Sequence, residues 1–534
     1  MRCPALEKIL IMLERDDIYF FDISGLERTE GIKKRADSGF LRQELEKLFP
    51  GDDFTDIKVT ENDIGFYKAH VSMLEKLFGG GRPVIGLPEY YEIELIHRTG
   101  DFCETIIVWS PVLWNDRFAG TAGGGISTGG RNYLTRPNNT QRGWTVPFAV
   151  MNGFTAATAY AGNIESWNDY TTDESGKLRG ELYENWRLRT THNMTVFGKA
   201  IAEILHQRPV KYSYLNGGSG GGRQSLMEVQ NYPHDYDGVW ASCPAINWHY
   251  FLISGFWPIA VMNEHNHYLS SAKNRFFLEE IHKLNGGRDA YYDLPVIPEF
   301  DSKTLIGRKV GLFEITEKDS LVMNEILKGP HREDGTKLWY SFRPGVQNWQ
   351  KVIPIGTYYY PLFSKKIKPF ILGPIYLTWI TGDKNYRYKD MGYKEFVLLF
   401  DLGAEKFADS LGDSVEIDAF ASHGGKVIID HGTDDPLIPV DGTLDYYRKL
   451  VEHFGSSGSL DSFLRLYITP GDSHGNCWGN NAGITEKAGM TALIDWVEKG
   501  ISPEGVRKVR VNRKKGELIT EGIQFPYRSE YRND

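Results

Sequence analysis

Apolar and polar positions change rhythm several times along the 534-residue chain. Short runs rich in Ile, Val, Tyr and Trp read as strands at 91–96, 105–109, 426–430 and 463–468, and the apolar run at 148–151 reads as another. Stretches at 40–49 and 195–206 repeat their apolar positions at helical spacing. Strands that alternate with helices predict an α/β chain with a mostly parallel sheet and helices on both faces.

The alternation is not continuous. Residues 1–85 are charge-rich and mixed, and are read as an N-terminal extension ending at Gly79, Gly80 and Gly81. The α/β pattern holds over 86–248, gives way over 249–400 and resumes over 401–534. The interruption carries aromatic clusters at 248–257 and 358–363, with proline breaks between them. An insertion between sheet strands on the ligand-binding edge predicts a large lid domain.

The most informative segment is KYSYLNGGSGGGRQSLME, residues 211–228. It reads as a strand, a glycine-rich corner holding one serine, and a helix. This is a nucleophile elbow, Gly217-x-Ser219-x-Gly221. A serine attacks a carbonyl only if its hydroxyl stands clear of the backbone, and the sharp turn provides that. Side chains two residues either side of the serine would collide, and glycine at 217 and 221 removes the collision. The same motif also occurs in loops that only turn a chain; the flanking strand and helix favour the catalytic reading.

A serine nucleophile needs a base, and the base needs an acid to orient it. After the strand at 426–430 comes His431-Gly-Thr-Asp434-Asp435-Pro436, and after 463–468 comes Thr469-Pro-Gly-Asp-Ser-His474-Gly475. These supply acid and histidine in the order Ser, Asp, His expected of an α/β-hydrolase fold. His192, His234, His423 and His431 are rivals for the base; His474 is preferred because it follows the last predicted strand among small residues. Asp434 and Asp435 are not separated by this argument. An oxyanion hole would take the N–H of Gly220, after the serine, and that of Gly124 in the glycine cluster at 120–130.

Composition narrows the setting. Apolar and charged fractions of 41% and 25% are those of a soluble globular chain. The net charge of −9, with basic residues massed only at 507–515, argues against a nucleic-acid partner. Cys3, Cys103, Cys243 and Cys477 lack metal-ligand spacing, so no metal site is indicated. The N-terminal apolar run, 9–13, is too short for a signal-peptide core, and no stretch is long enough to span a membrane. A cytoplasmic location is the default expectation; export by another route stays open, as does the subunit count.

With these residues assembled, the chain resembles the tannase and feruloyl esterase family. The resemblance rests on SYLNGGSGGGRQSLMEVQNYPHDYDGVWASCPAINW from Ser213, HNMTVFGKA from His192, WNDRFAGTAGGG from Trp114, HGGKVIIDHGTDDPLIP from His423 and PGDSHG from Pro470. It runs from about 85 to 528. It implies Ser219, Asp435 and His474 as the triad, choosing Asp435 over Asp434, and a carboxylic ester hydrolase acting on galloyl, feruloyl or related aromatic acid esters. There are departures. Many members carry bridged cysteines at the positions of Gly218 and Gly475. The family's Thr-Asp-x-Gly-His segment is replaced around 152–155. Its lid calcium loop is poorly matched by 284–290, where too few carboxylates remain, so no cofactor is expected. The same apparatus would also serve acyl transfer to another alcohol. A non-catalytic ligand-binding relative would be marked by loss of a triad residue, and none is lost.

Overall fold

The computed structural model describes residues 21–63, 65–68, 83–134, 144–165, 168–288, 290, 300–346, 356–360, 364–368, 372–474, 483–511 and 518–528. Nine strands form one sheet: β1 (Asp53–Asn62), β2 (Tyr90–Thr99), β3 (Phe102–Pro111), β4 (Arg117–Thr121), β5 (Thr155–Tyr160), β6 (Tyr212–Gly218), β7 (Gly238–Ser242), β8 (Lys426–Gly432) and β9 (Leu464–Thr469). Their order is β1-β2-β3-β5-β4-β6-β7-β8-β9. Pairs from β1 to β5 by way of β2 and β3 are antiparallel. From β5 across to β9 all are parallel. This is the α/β-hydrolase fold.

The parallel strands read as nearly unbroken apolar runs because both of their faces are covered. Side chains alternate between two cores. Leu215, Val239, Ile429 and Leu466 point to one, with Leu226, Ile201 and Phe197. Tyr214, Trp240, Ile428 and Tyr467 point to the other, with Trp109, Leu493 and Trp496. Even the buried polar group Asp430 is satisfied, accepting a 2.7 Å bond from Trp240 Nε1.

Two expectations change. Residues 148–151 lie in a helix, Val146–Met151, not a strand. Pro147 opens the first turn, where its missing N–H costs nothing, and all six residues are buried, so no polar face revealed a helical period. Residues 53–62, inside the stretch read as an extension, form the sheet's edge strand against β2. The helix before it, Ser38–Leu48, is capped by Asp37 and places Leu41 and Leu45 in the main core. The glycines at 79–81 lie outside the described residues.

Between β7 and β8 the chain leaves the sheet and builds a third core from Trp248, Trp257, Phe277, Tyr376, Trp379, Phe396 and their neighbours, joined by Trp186 from before the elbow. Its aromatic residues are therefore mostly its own packing. Among the described residues no helix is long and apolar enough to cross a membrane.

Candidate active site

The elbow is held at its backbone. Ser219 has φ 61° and ψ −123°, a conformation that side chains rarely adopt and that costs on the order of 1–3 kcal/mol. Three bonds maintain it: its N–H donates to Ser242 O at 2.9 Å, and its carbonyl accepts from Ala245 N at 2.9 Å and Arg223 N at 3.1 Å. The loop after β7 thus clamps the nucleophile from both sides. A Cβ on Gly217 would lie 2.6 Å from the carbonyl carbon of Gly221, which is the collision the sequence argument anticipates. On Gly220 it would lie 2.3 Å from Gly125 O, so the glycine loop after β4 packs directly on the start of the helix Gly220–Asn231.

Asp435 and His474 follow β8 and β9, neighbours in the sheet, and so come together. Asp435 Oδ2 lies 2.8 Å from His474 Nδ1 and 3.0 Å from Nε2 of His431, whose Nδ1 lies 2.9 Å from Thr443 Oγ1. Oδ1 accepts from the N–H groups of Leu437 and Ile438 at 2.8 and 3.0 Å. Both carboxylate oxygens are saturated, which fixes the carboxylate; the hydrogen-bond partners of His474 are Asp435 and Cys243. Asp434 serves elsewhere: its N–H donates to Asp472 O, tying the acid loop to the histidine loop. The Gly471 N–H bond to Thr433 Oγ1 does the same.

The charges follow from this arrangement. Burial alone would raise the Asp435 carboxyl, but the His474 charge and hydrogen bonds from both imidazoles outweigh it and hold it far below the usual carboxylate range. Burial opposes the charged form of His474, yet the Asp435 carboxylate and Cys243 overcome it, and its pKa stands well above the ordinary imidazole value.

Cys243 is a neighbour that sequence reasoning did not find. Its Sγ, one Asp435 oxygen and one His474 nitrogen lie within 4.8 Å of one another. It sits between Ser242 and Ala245, the residues that grip Ser219, so it brings the base alongside the elbow. His431 was weighed as a rival base; it instead supports the acid, and its spacing four residues before Asp435 was the available signal. His192 bonds Asp235 and His423 lies near Asp237, both away from Asp435.

Two residues after the elbow organise its surroundings. Gln224 Nε2 donates to Gly123 O at 3.0 Å and Ser127 O at 3.1 Å, pinning the glycine loop to the nucleophile's helix. Arg223 is fully buried, with its guanidinium 4.2 Å from the Trp186 ring centre and bonded to the carbonyls of Trp186, Arg187 and Ser410. Burial pushes its pKa down to about 9. The Gly124 N–H donates to the Tyr133 hydroxyl at 2.5 Å. Gly220 opens the helix, so its N–H is among those with no intrahelical acceptor. In the segment 284–290, Asn285 Nδ2 donates to Ile281 O at 2.7 Å, and Asp289 lies outside the described residues. Gly475 and Cys477 lie outside the described residues.

Comparison with known proteins agrees with this geometry. The family model described as tannase and feruloyl esterase matches residues 104–303 and 385–534. A probable feruloyl esterase of Arthroderma benhamiae is 31% identical over 422 residues, covering 75% of this chain and 74% of that protein. Feruloyl esterase C of Talaromyces stipitatus is 25% identical over 464 residues, covering 80% of each. Among solved structures, a tannin acyl hydrolase from Aspergillus niger superposes with a TM-score of 0.75 at 18% identity, over 94% of this chain and 93% of that one. Feruloyl esterase B from Aspergillus oryzae gives 0.70 at 19%, over 91% and 96%. These two show the shared fold. The chain is a carboxylic ester hydrolase and belongs to the tannase and feruloyl esterase family.

Proposed function

We propose that this enzyme hydrolyses esters of phenolic acids, such as galloyl or feruloyl esters, through an acyl-enzyme on Ser219. His474 Nε2 takes the Ser219 proton as Oγ attacks the ester carbonyl. Asp435 holds the ring by its Nδ1 and stabilises the imidazolium. The Gly220 N–H and, once the Tyr133 hydroxyl turns aside, the Gly124 N–H receive the tetrahedral oxyanion. His474 then protonates the departing alcohol and activates a water that releases the acid. No cofactor takes part.

The observation that supports this most strongly is the Asp435–His474 pair, 2.8 Å apart, beside the loop that clamps the strained Ser219. The relatives named above support the substrate class. The test is a panel of methyl gallate, methyl ferulate, p-nitrophenyl acetate and p-nitrophenyl butyrate, with wild type and Ser219→Ala. The expected result is turnover of an aromatic acid ester, abolished by the substitution. Turnover of the acetate alone would remove the phenolic assignment, and activity that survives the substitution would remove the nucleophile.

A further inference from the structure

Among the described residues two groups of side chains bring three ligand atoms close enough to share one metal ion. One is Cys243, Asp435 and His474, already part of the active site. The other is separate: His192 in the helix Thr190–His206, Glu228 in the helix Gly220–Asn231, and Asp235 in the loop that leads to β7. Each offers one ligand atom, and these atoms lie within 4.8 Å of one another.

Glu228 makes this second group unusual. It is 1% exposed, no N–H group reaches either of its oxygens, and its hydrogen-bond partner is the neighbouring Asp235 carboxyl. Two buried carboxyl groups can stay this close only by sharing a proton or by taking up a cation, because two carboxylates would repel. The nearby ammonium does not relieve this directly. Lys199 Nζ bonds the main-chain oxygen of Asp235, as does Ser213 Oγ, so both donors act on the backbone and fix the Asp235 position. His192 is held as well: its Nδ1 lies 2.7 Å from Asp235 Oδ2, and its ring stacks on Tyr232 with centroids 3.6 Å apart and planes 8° apart. The His192 and Asp235 side chains keep 27% and 17% of their surface, so the outer side of the group is open to solvent while Glu228 closes the inner side.

We propose that His192, Glu228 and Asp235 form a binding site for a divalent transition-metal ion of the zinc class. One imidazole nitrogen with two carboxylates suits such an ion, whereas calcium prefers six to eight oxygens. The ion would take the place of the proton shared by Glu228 and Asp235, which is released to solvent on binding. It displaces the His192–Asp235 contact and leaves a coordination position for water. The ion would join the helix that carries Ser219 to the helix before β6, a structural role distinct from the ester chemistry.

The probe is Zn²⁺ itself, titrated into the full chain after chelator treatment and dialysis, with binding read by calorimetry and stability by melting. Cys243→Ala is the background, because it removes the thiol from the competing group at the triad. The expected result is one equivalent bound and a melting temperature that rises with zinc. His192→Ala on that background should weaken binding by at least about tenfold. Glu228→Gln, close in shape, should do the same, and if it fails to fold the partly exposed His192 variant still decides. Three outcomes overturn the proposal: no zinc-dependent rise, a rise that His192→Ala leaves unchanged, or zinc binding that disappears with Cys243→Ala. A melting temperature that follows pH but ignores zinc would likewise assign Glu228 and Asp235 to a shared proton.

Discussion

At the scale of residues, the site is a set of hydrogen bonds that each remove a freedom. Asp435 accepts from two imidazoles and two backbone N–H groups, so it cannot rotate away from His474. Asp435→Asn is expected to lower kcat by roughly four orders of magnitude with the fold intact, because the amide no longer selects the required tautomer. The pH dependence follows from the same contacts. Catalysis needs neutral His474, whose pKa is raised, so kcat/KM should fall on the acid side at a pH above the ordinary imidazole value. The stability contributions run differently. That of His474 is complete below its unfolded pKa and is lost as pH rises through the folded value. That of Asp435 is present above its unfolded pKa and is lost only as pH falls through a strongly depressed one. Mild acid should therefore silence the enzyme while this pair still supports the fold. Parallel profiles of kcat/KM and melting temperature check this, and coincident loss of both would contradict it.

At the scale of elements, the elbow, the acid loop and the histidine loop were legible in the sequence. Each couples a buried strand to a turn whose residue types are dictated locally. What the sequence hid depends on tertiary contact. No pattern marks Tyr133 as the partner of Gly124, or Cys243 as a neighbour of His474. The run at 148–151 was misread because a short, wholly buried helix shows no period. β1 escaped because a register shift between Phe54 and Asp56 breaks its alternation. Gln224 gives a test at this scale. Gln224→Leu leaves the carbonyls of Gly123 and Ser127 without their donor and frees the glycine loop from the nucleophile's helix. The expected cost is about 1–3 kcal/mol, a loss in kcat/KM on the order of 10–100-fold with unchanged circular dichroism. Unchanged kinetics would show that the loop is held without it.

For the whole molecule, the three cores account for most of the buried aromatic residues among those described. Two cores sandwich the sheet and the third is built mainly by the chain between β7 and β8, with buried Arg223 joining the nucleophile's helix to Trp186 of that third core. Residues 32–62 are part of this body. Leu41, Leu45, Phe54 and Ile57 are buried in the main core, worth about 1.5–3 kcal/mol each, and β1 covers the open edge of β2. Their sum is comparable with the whole stability of an ordinary domain. A chain starting at residue 63 is expected to be insoluble or unfolded in a solubility and melting assay; a soluble, active one would show that β1 is dispensable.

The central claim, that Ser219 is the nucleophile activated by His474 and Asp435, is tested most directly by a fluorophosphonate reaction mapped by peptide mass spectrometry. The account predicts one adduct, on the peptide carrying Ser219, absent from Ser219→Ala and formed far more slowly by Asp435→Asn. An adduct at any other residue, or undiminished labelling of Ser219→Ala, would contradict it.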